Sequence, residues 1–183
     1  MCDELKAIRE RLKVSFLHVT GSETEALTMG DTVAVLADGK IAQIDGSRRL
    51  FTEPQNAAAA HHLNAWNILP GIVEGGALRT SVGLLPIAEN VADNTPVQLA
   101  VRFDKVDVCD PADVPEAHDH FEALYVTGEF NGPTTLSFFR TPDGSLIQVV
   151  DHLSNPRLPK LQEGQTYALH FPPQAAVLFK GVA

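Results

Sequence analysis

His118-Asp119-His120 brings three metal-ligating side chains together within three residues. Imidazole and carboxylate groups suit zinc and related ions. They need further ligands and a rigid frame, however, and this triplet lies in an acidic, proline-containing stretch that offers neither. A solvated loop is expected there. His61-His62 are adjacent in a helical stretch and so point in different directions, which favours surface or junction packing over ligation. Cys2 and Cys109 are far apart and follow no metal or redox spacing, so both are read as free thiols. A nucleotide would need a phosphate loop of the form G-x-x-x-x-G-K-[ST], whose backbone amides and lysine surround the phosphates. The sequence has no such run, and Gly39-Lys40 is followed by Ile41. No metal and no cofactor is expected.

The elements that would position any site come in two textures. Near the start, Asp3 is placed to cap a helix with Leu5, Ile8 and Leu12 on one stripe. Val14–Val19 (VSFLHV) is short, β-branched and aromatic, a pattern suited to a strand buried on both faces of a parallel sheet. Thr20-Gly21-Ser22 breaks it. Ser22 with Glu25 then makes a capping-box pattern ahead of Ala26, Leu27 and Met29. The runs at 33–36 and 41–44 flank Ala37-Asp38-Gly39-Lys40, where an Asp-Gly pair signals a hairpin. Helices at Ser47–Phe51 and Gln55–Leu63 follow, and Asn64–Pro70 reads as a junction anchored by Trp66.

From Ile68 onward, short apolar runs are divided by Gly, Pro, Asn and Asp. They lie at Leu84–Ile87, Val97–Phe103, Phe121–Phe130, Thr135–Phe139, Leu146–Val150, Tyr167–Phe171 and Val177–Phe179. Seven or more short strands without helical periodicity argue for a small barrel or sandwich. Thr141-Pro142-Asp143-Gly144 is a turn by its own chemistry. Asp107–His120 is expected to be the most mobile loop.

Composition sets the outer bounds. Of 183 residues, 44% are hydrophobic and 20% charged, a composition that folds. Apolar runs reach only five or six residues, too short to span a membrane, and the charged amino terminus lacks a secretory signal's apolar core. Cytoplasm is the expected location. The net charge is -9, and residues 67–183 hold 7 basic and 14 acidic side chains against 7 and 9 in residues 1–66. That excess opposes a nucleic-acid partner.

Taken together, the residues resemble a known family. Leu17–Phe51 is similar to the end of the nucleotide-binding domain of bacterial ABC importers, with Val19, Thr20, Glu25, Ala26, Asp31, Asp38 and Gly39 at matching positions. Thr52-Glu53-Pro54 and Asn67-Ile68-Leu69-Pro70-Gly71 resemble the passage into that family's accessory TOBE (transport-associated OB) domain. The resemblance implies an α+β chain with residues 1–66 as the end of the ATPase domain and 67–183 as an OB-like, mostly antiparallel β-barrel. It also implies what is missing. The Leu-Ser-Gly-Gly signature is absent. Val33–Asp38 imitates a magnesium-binding strand, but Gly39 replaces the acid that should follow. The family's switch histidine falls at Gly21, which has no side chain to position water. His18 lies three residues earlier and is a poor substitute.

The chain is therefore expected to be non-catalytic: a regulatory, dimer-forming region of an importer ATPase subunit, working with permease subunits at the inner membrane. Asn67–Gly71, Leu78-Arg79-Thr80 and Gly83-Leu84-Leu85-Pro86 look most like the ferric-iron branch, with polyamine importers close behind. Because Val14–Val19 would have open edges alone, a homodimer is expected. The alternative is a stand-alone module binding an oxyanion or metal. For this the resemblance points to Thr80, Ser81, Gly83, Thr127 and Gly128 as donors. Arg102 is expected to pair with an acid across the barrel.

Overall fold

The computed structural model describes residues 2–115, 120–156 and 158–181. It divides into two compact units, Met1–Asn64 and Ala65–Ala183.

In the first unit, α1 (Cys2–Leu12) begins at Cys2, so Asp3 lies inside the first turn rather than at the cap. Leu5, Ile8 and Leu12 each stay more than a third exposed. Val14–Val19 forms no strand, contrary to expectation: Leu17 is 95% and Val19 82% exposed. A strand buried on both faces needs hydrogen-bonding neighbours, and the unit's one described sheet is a hairpin that does not include it. Next come α2 (Glu23–Met29), β1 (Val33–Ala37), β2 (Lys40–Asp45), α3 (Ser47–Thr52) and α4 (Ala57–His62). Ser22 caps α2, its Oγ accepting from the Glu25 amide at 3.3 Å. The Glu25 carboxylate accepts from Thr20 Oγ1 at 2.8 Å rather than from the Ser22 amide, so half of the capping box forms. Asp38 and Gly39 carry φ of 49° and 71°, the double left-handed turn that the right-handed twist of β1–β2 demands. Val35, Leu50, Ala59, Ala60 and Leu63 are buried. Gln43, also buried, is satisfied by the Glu53 carbonyl and the Gln55 amide.

The second unit holds β3 (Trp66–Glu74), β4 (Ala77–Thr80), β5 (Gly83–Pro86), β6 (Pro96–Arg102), β7 (Asp107–Cys109), β8 (His120–Asn131), β9 (Thr134–Arg140), β10 (Leu146–His152), β11 (Thr166–His170) and β12 (Ala176–Lys180). They form two five-stranded antiparallel sheets, ordered β10-β9-β8-β11-β7 and β12-β6-β3-β4-β5. Between them lies one apolar core. Val97, Leu99 and Val101 of β6 meet Phe121 and Ala123 of β8, Phe139 of β9, and Tyr167 and Leu169 of β11 within it. Alternation along β6, β8 and β10 supplies the inward face, as period-two patterning requires.

Three strands escaped the sequence reading. Asn64–Pro70 contains the boundary between the two units, as expected of a junction, but from Trp66 on it is strand β3. Pro70 is tolerated there because β3 pairs only with β6 at that point, and pairing with β4 begins at Gly71. β4 follows a Gly75-Gly76 turn, both glycines at positive φ. β7 occupies the start of the presumed loop Asp107–His120. One buried side chain ties the sheets together: Asn67 Nδ2 donates to the Gln148 carbonyl and its Oδ1 accepts the Gln148 amide, both at 2.8 Å.

Candidate functional site

Two hairpin tips approach each other at one end of the second unit. The β4–β5 tip carries Thr80, Ser81, Val82 and Gly83, and the β9–β10 tip runs from Thr141 to Ser145. Thr80 Oγ1 donates to the Gly83 carbonyl at 2.9 Å and accepts the Val82 amide at 3.2 Å, so its hydroxyl is spent inside the turn. The Ser81 hydroxyl faces Asp143. Together with Thr141 and Ser145, it holds that carboxyl well below the usual carboxylate range. Ser145 donates to Asp143 through both amide and hydroxyl at 3.1 Å. Beside this tip is a shallow apolar groove lined by Pro70, Gly71, Ile72, Arg79, Thr80, Ser81 and Pro96. Arg79 is held by Glu74 at 2.8 Å.

Thr127 and Gly128 lie elsewhere, on the exposed outer half of β8 just past a bulge between Tyr125 and Thr127. Gly128 stands opposite Ser137, with three strand residues and a turn between Ser137 and Asp143. At the usual strand rise that is about 10 Å or more. Gly128 has a structural role, since a Cβ there would meet the Tyr125 hydroxyl at 2.7 Å. The five residues thus do not converge on one point. An oxyanion at Ser81 would also sit beside a permanent carboxylate, which repels it.

Of the metal triplet, His118 and Asp119 lie outside the described residues, and His120 stands exposed on β8 opposite His170. Among the described residues, no group of three His, Cys, Asp or Glu side chains could hold a metal ion. His61 and His62 end α4 with their rings edge to face. Burial, reinforced by Asp113, Asp110 and Asp107, pushes the Cys109 thiol up, away from a reactive thiolate. Arg102 lies at the end of β6. It binds Asp104 two residues on, with Nε–Oδ1 at 2.8 Å and Nη2–Oδ2 at 2.6 Å. This fork draws the Asp104 carboxyl down.

Gly21 precedes the Ser22 cap, and a Cβ added there would meet nothing within 4 Å. His18 is drawn instead toward Glu25, at 3.6 Å. The position therefore has space for a side chain and lacks one.

No family model matches the sequence. Relatives do. The chain is 32% identical over 164 residues to the spermidine/putrescine import ATP-binding protein PotA of Rubrobacter xylanophilus, covering 84% of this chain and 42% of that protein. The protein of the same name from Pseudomonas fluorescens is 28% identical over 185 residues, covering 97% and 50%. The similarity is to the ATP-binding subunits of ABC importers. This chain spans about half the length, or less, of these relatives. Among solved structures, the cytoplasmic molybdate-binding protein ModG matches with a TM-score of 0.54 at 15% identity, over 63% of this chain and 96% of that one. This likeness supports the OB-like TOBE fold. No helix is long and apolar enough to cross a membrane among the described residues.

Proposed function

We propose that this chain is the regulatory, dimer-forming C-terminal region of an ABC-importer ATP-binding subunit, and that it hydrolyses no ATP by itself. On this reading Met1–Asn64 ends the ATPase domain and Ala65–Ala183 is the TOBE domain. The observation that carries the reading is the match across most of this chain to about half of the importer subunits. The absence of a phosphate loop from the sequence supports the non-catalytic part. The names of those relatives favour a polyamine over iron(III) as the transported solute. Permease subunits are the partners of the assembled transporter, with the chain on the cytoplasmic face of the inner membrane. The acidic excess speaks against nucleic acid.

The homodimer has its own support. Val14, Phe16, Leu17 and Val19 leave exposed apolar side chains in a segment outside any helix or strand and without proline or glycine, which suits pairing with a second copy. Sedimentation at micromolar concentration is expected to show a dimer that Leu17→Asp converts to monomer; a wild-type monomer contradicts this part. Equilibrium binding of ATP with magnesium is expected to be undetectable, and tight saturable binding overturns the non-catalytic reading. The alternative, an oxyanion-binding module at Thr80, Ser81, Gly83, Thr127 and Gly128, draws on the likeness to a molybdate-binding protein. It is weakened by the spent Thr80 hydroxyl and by Asp143 beside Ser81. Titration calorimetry with molybdate separates the two: stoichiometric heat favours the module, silence the importer region.

A further inference from the structure

The sheet β10-β9-β8-β11-β7 ends in two edge strands, β10 and β7. β10 pairs with β9 on one side and packs against the short 3-10 turn Phe103–Lys105, immediately ahead of β7. Asp151 lies on this edge strand. It continues the inward face set by Ile147 and Val149, and it is only 6% exposed. Asn155 Nδ2 donates to its Oδ1 at 3.1 Å, while its Oδ2 is buried with no hydrogen-bond partner. A lone oxygen in that position is tolerable as part of a neutral acid and costly as part of an anion.

We propose that Asp151 is a proton-operated clasp, closing the β10 edge against the turn before β7 when neutral and loosening it when ionised. The surrounding charges fit this role. The turn carries Asp104, engaged by Arg102, and the half-exposed Lys105. β9 offers Thr135 opposite, which is uncharged. His152 follows on β10 and is engaged by Ser154. Asp107 of β7 adds a negative charge. Burial pushes the Asp151 carboxyl up, the Asn155 hydrogen bond opposes this, and Asp107 adds to it. Loosening β10 from the turn would free two edge strands for pairing with another chain, so proton binding would guard against that contact. The idea goes beyond the importer reading and stands or falls without it.

The test uses the full chain. Carboxyl carbon NMR is expected to show Asp151 titrating above the ordinary aspartate range. Hydrogen exchange, corrected for intrinsic rates, is expected to show β10 amides opening at least about ten-fold more often at about pH 8 than at about pH 5, with β6 unchanged. Asp151→Asn is expected to abolish that dependence. Asp107→Asn, which removes the like charge, is expected to move the midpoint to lower pH. An Asp151 that titrates normally, β10 opening that is flat with pH, or a dependence that survives Asp151→Asn overturns the proposal. If Asp151→Asn does not fold, an unmoved midpoint in Asp107→Asn overturns it instead.

Discussion

Among single residues, Asn67 illustrates how a polar group earns a place inside. Its amide imitates a strand neighbour, accepting from and donating to the Gln148 backbone. Asn67→Ala removes both bonds and leaves buried backbone groups unmet, so a loss of about 2–4 kcal/mol in urea unfolding is expected. Asp143 contributes to acid behaviour. Its carboxyl lies below the ordinary range in the folded chain, so its contribution is present above the unfolded aspartate value of about 4 and is lost as pH falls through the folded value. The stability gap between wild type and Asp143→Asn is therefore expected to be constant above about pH 5 and to shrink on acidification, as urea unfolding across pH will show. The histidine triplet attracted attention by type and spacing alone. Nothing in a one-dimensional pattern says whether three ligands face one point.

Elements tell a similar story about local and distant causes. The Asp38-Gly39 hairpin was legible because its turn chemistry is contained in two residues. The Gly75-Gly76 turn carried an equally local signal, a Gly-Gly pair before β4, and could have been read. β3 was harder, since Pro70 demotes a strand unless one side of it is free of a partner, and that depends on where β4 begins to pair. Gly71 marks the crossing point. A Cβ there would stand 2.5 Å from the Arg79 carbonyl and 2.8 Å from Leu78. Gly71→Ala is expected to force β3 and β4 apart and cost about 2–3 kcal/mol, measured by chemical denaturation, with loss of protection at the Arg79 and Thr80 amides.

At the level of the whole molecule, the two units differ in how much they bury. The second has a continuous core from both sheets. The first buries only a handful of small or aliphatic side chains and leaves Leu12, Phe16, Leu17 and Val19 more than half exposed. Amides of β1 and β2 are therefore expected to exchange at least about ten-fold faster than those of β6 and β11 in native-state hydrogen exchange. The sequence by itself determined the Asp38-Gly39 and Thr141–Gly144 turns, the Ser22 cap, most strands of the second unit and the missing phosphate loop, because each follows from near neighbours or from composition. Tertiary structure decided the rest. It left Val14–Val19 without a sheet, since a buried strand exists only where other strands supply its hydrogen bonds. It also separated Thr127-Gly128 from Ser81, turned Ser81 toward a carboxylate and buried Asp151. Those outcomes depend on which distant residues meet, and register and curvature set that only once the sheets have closed.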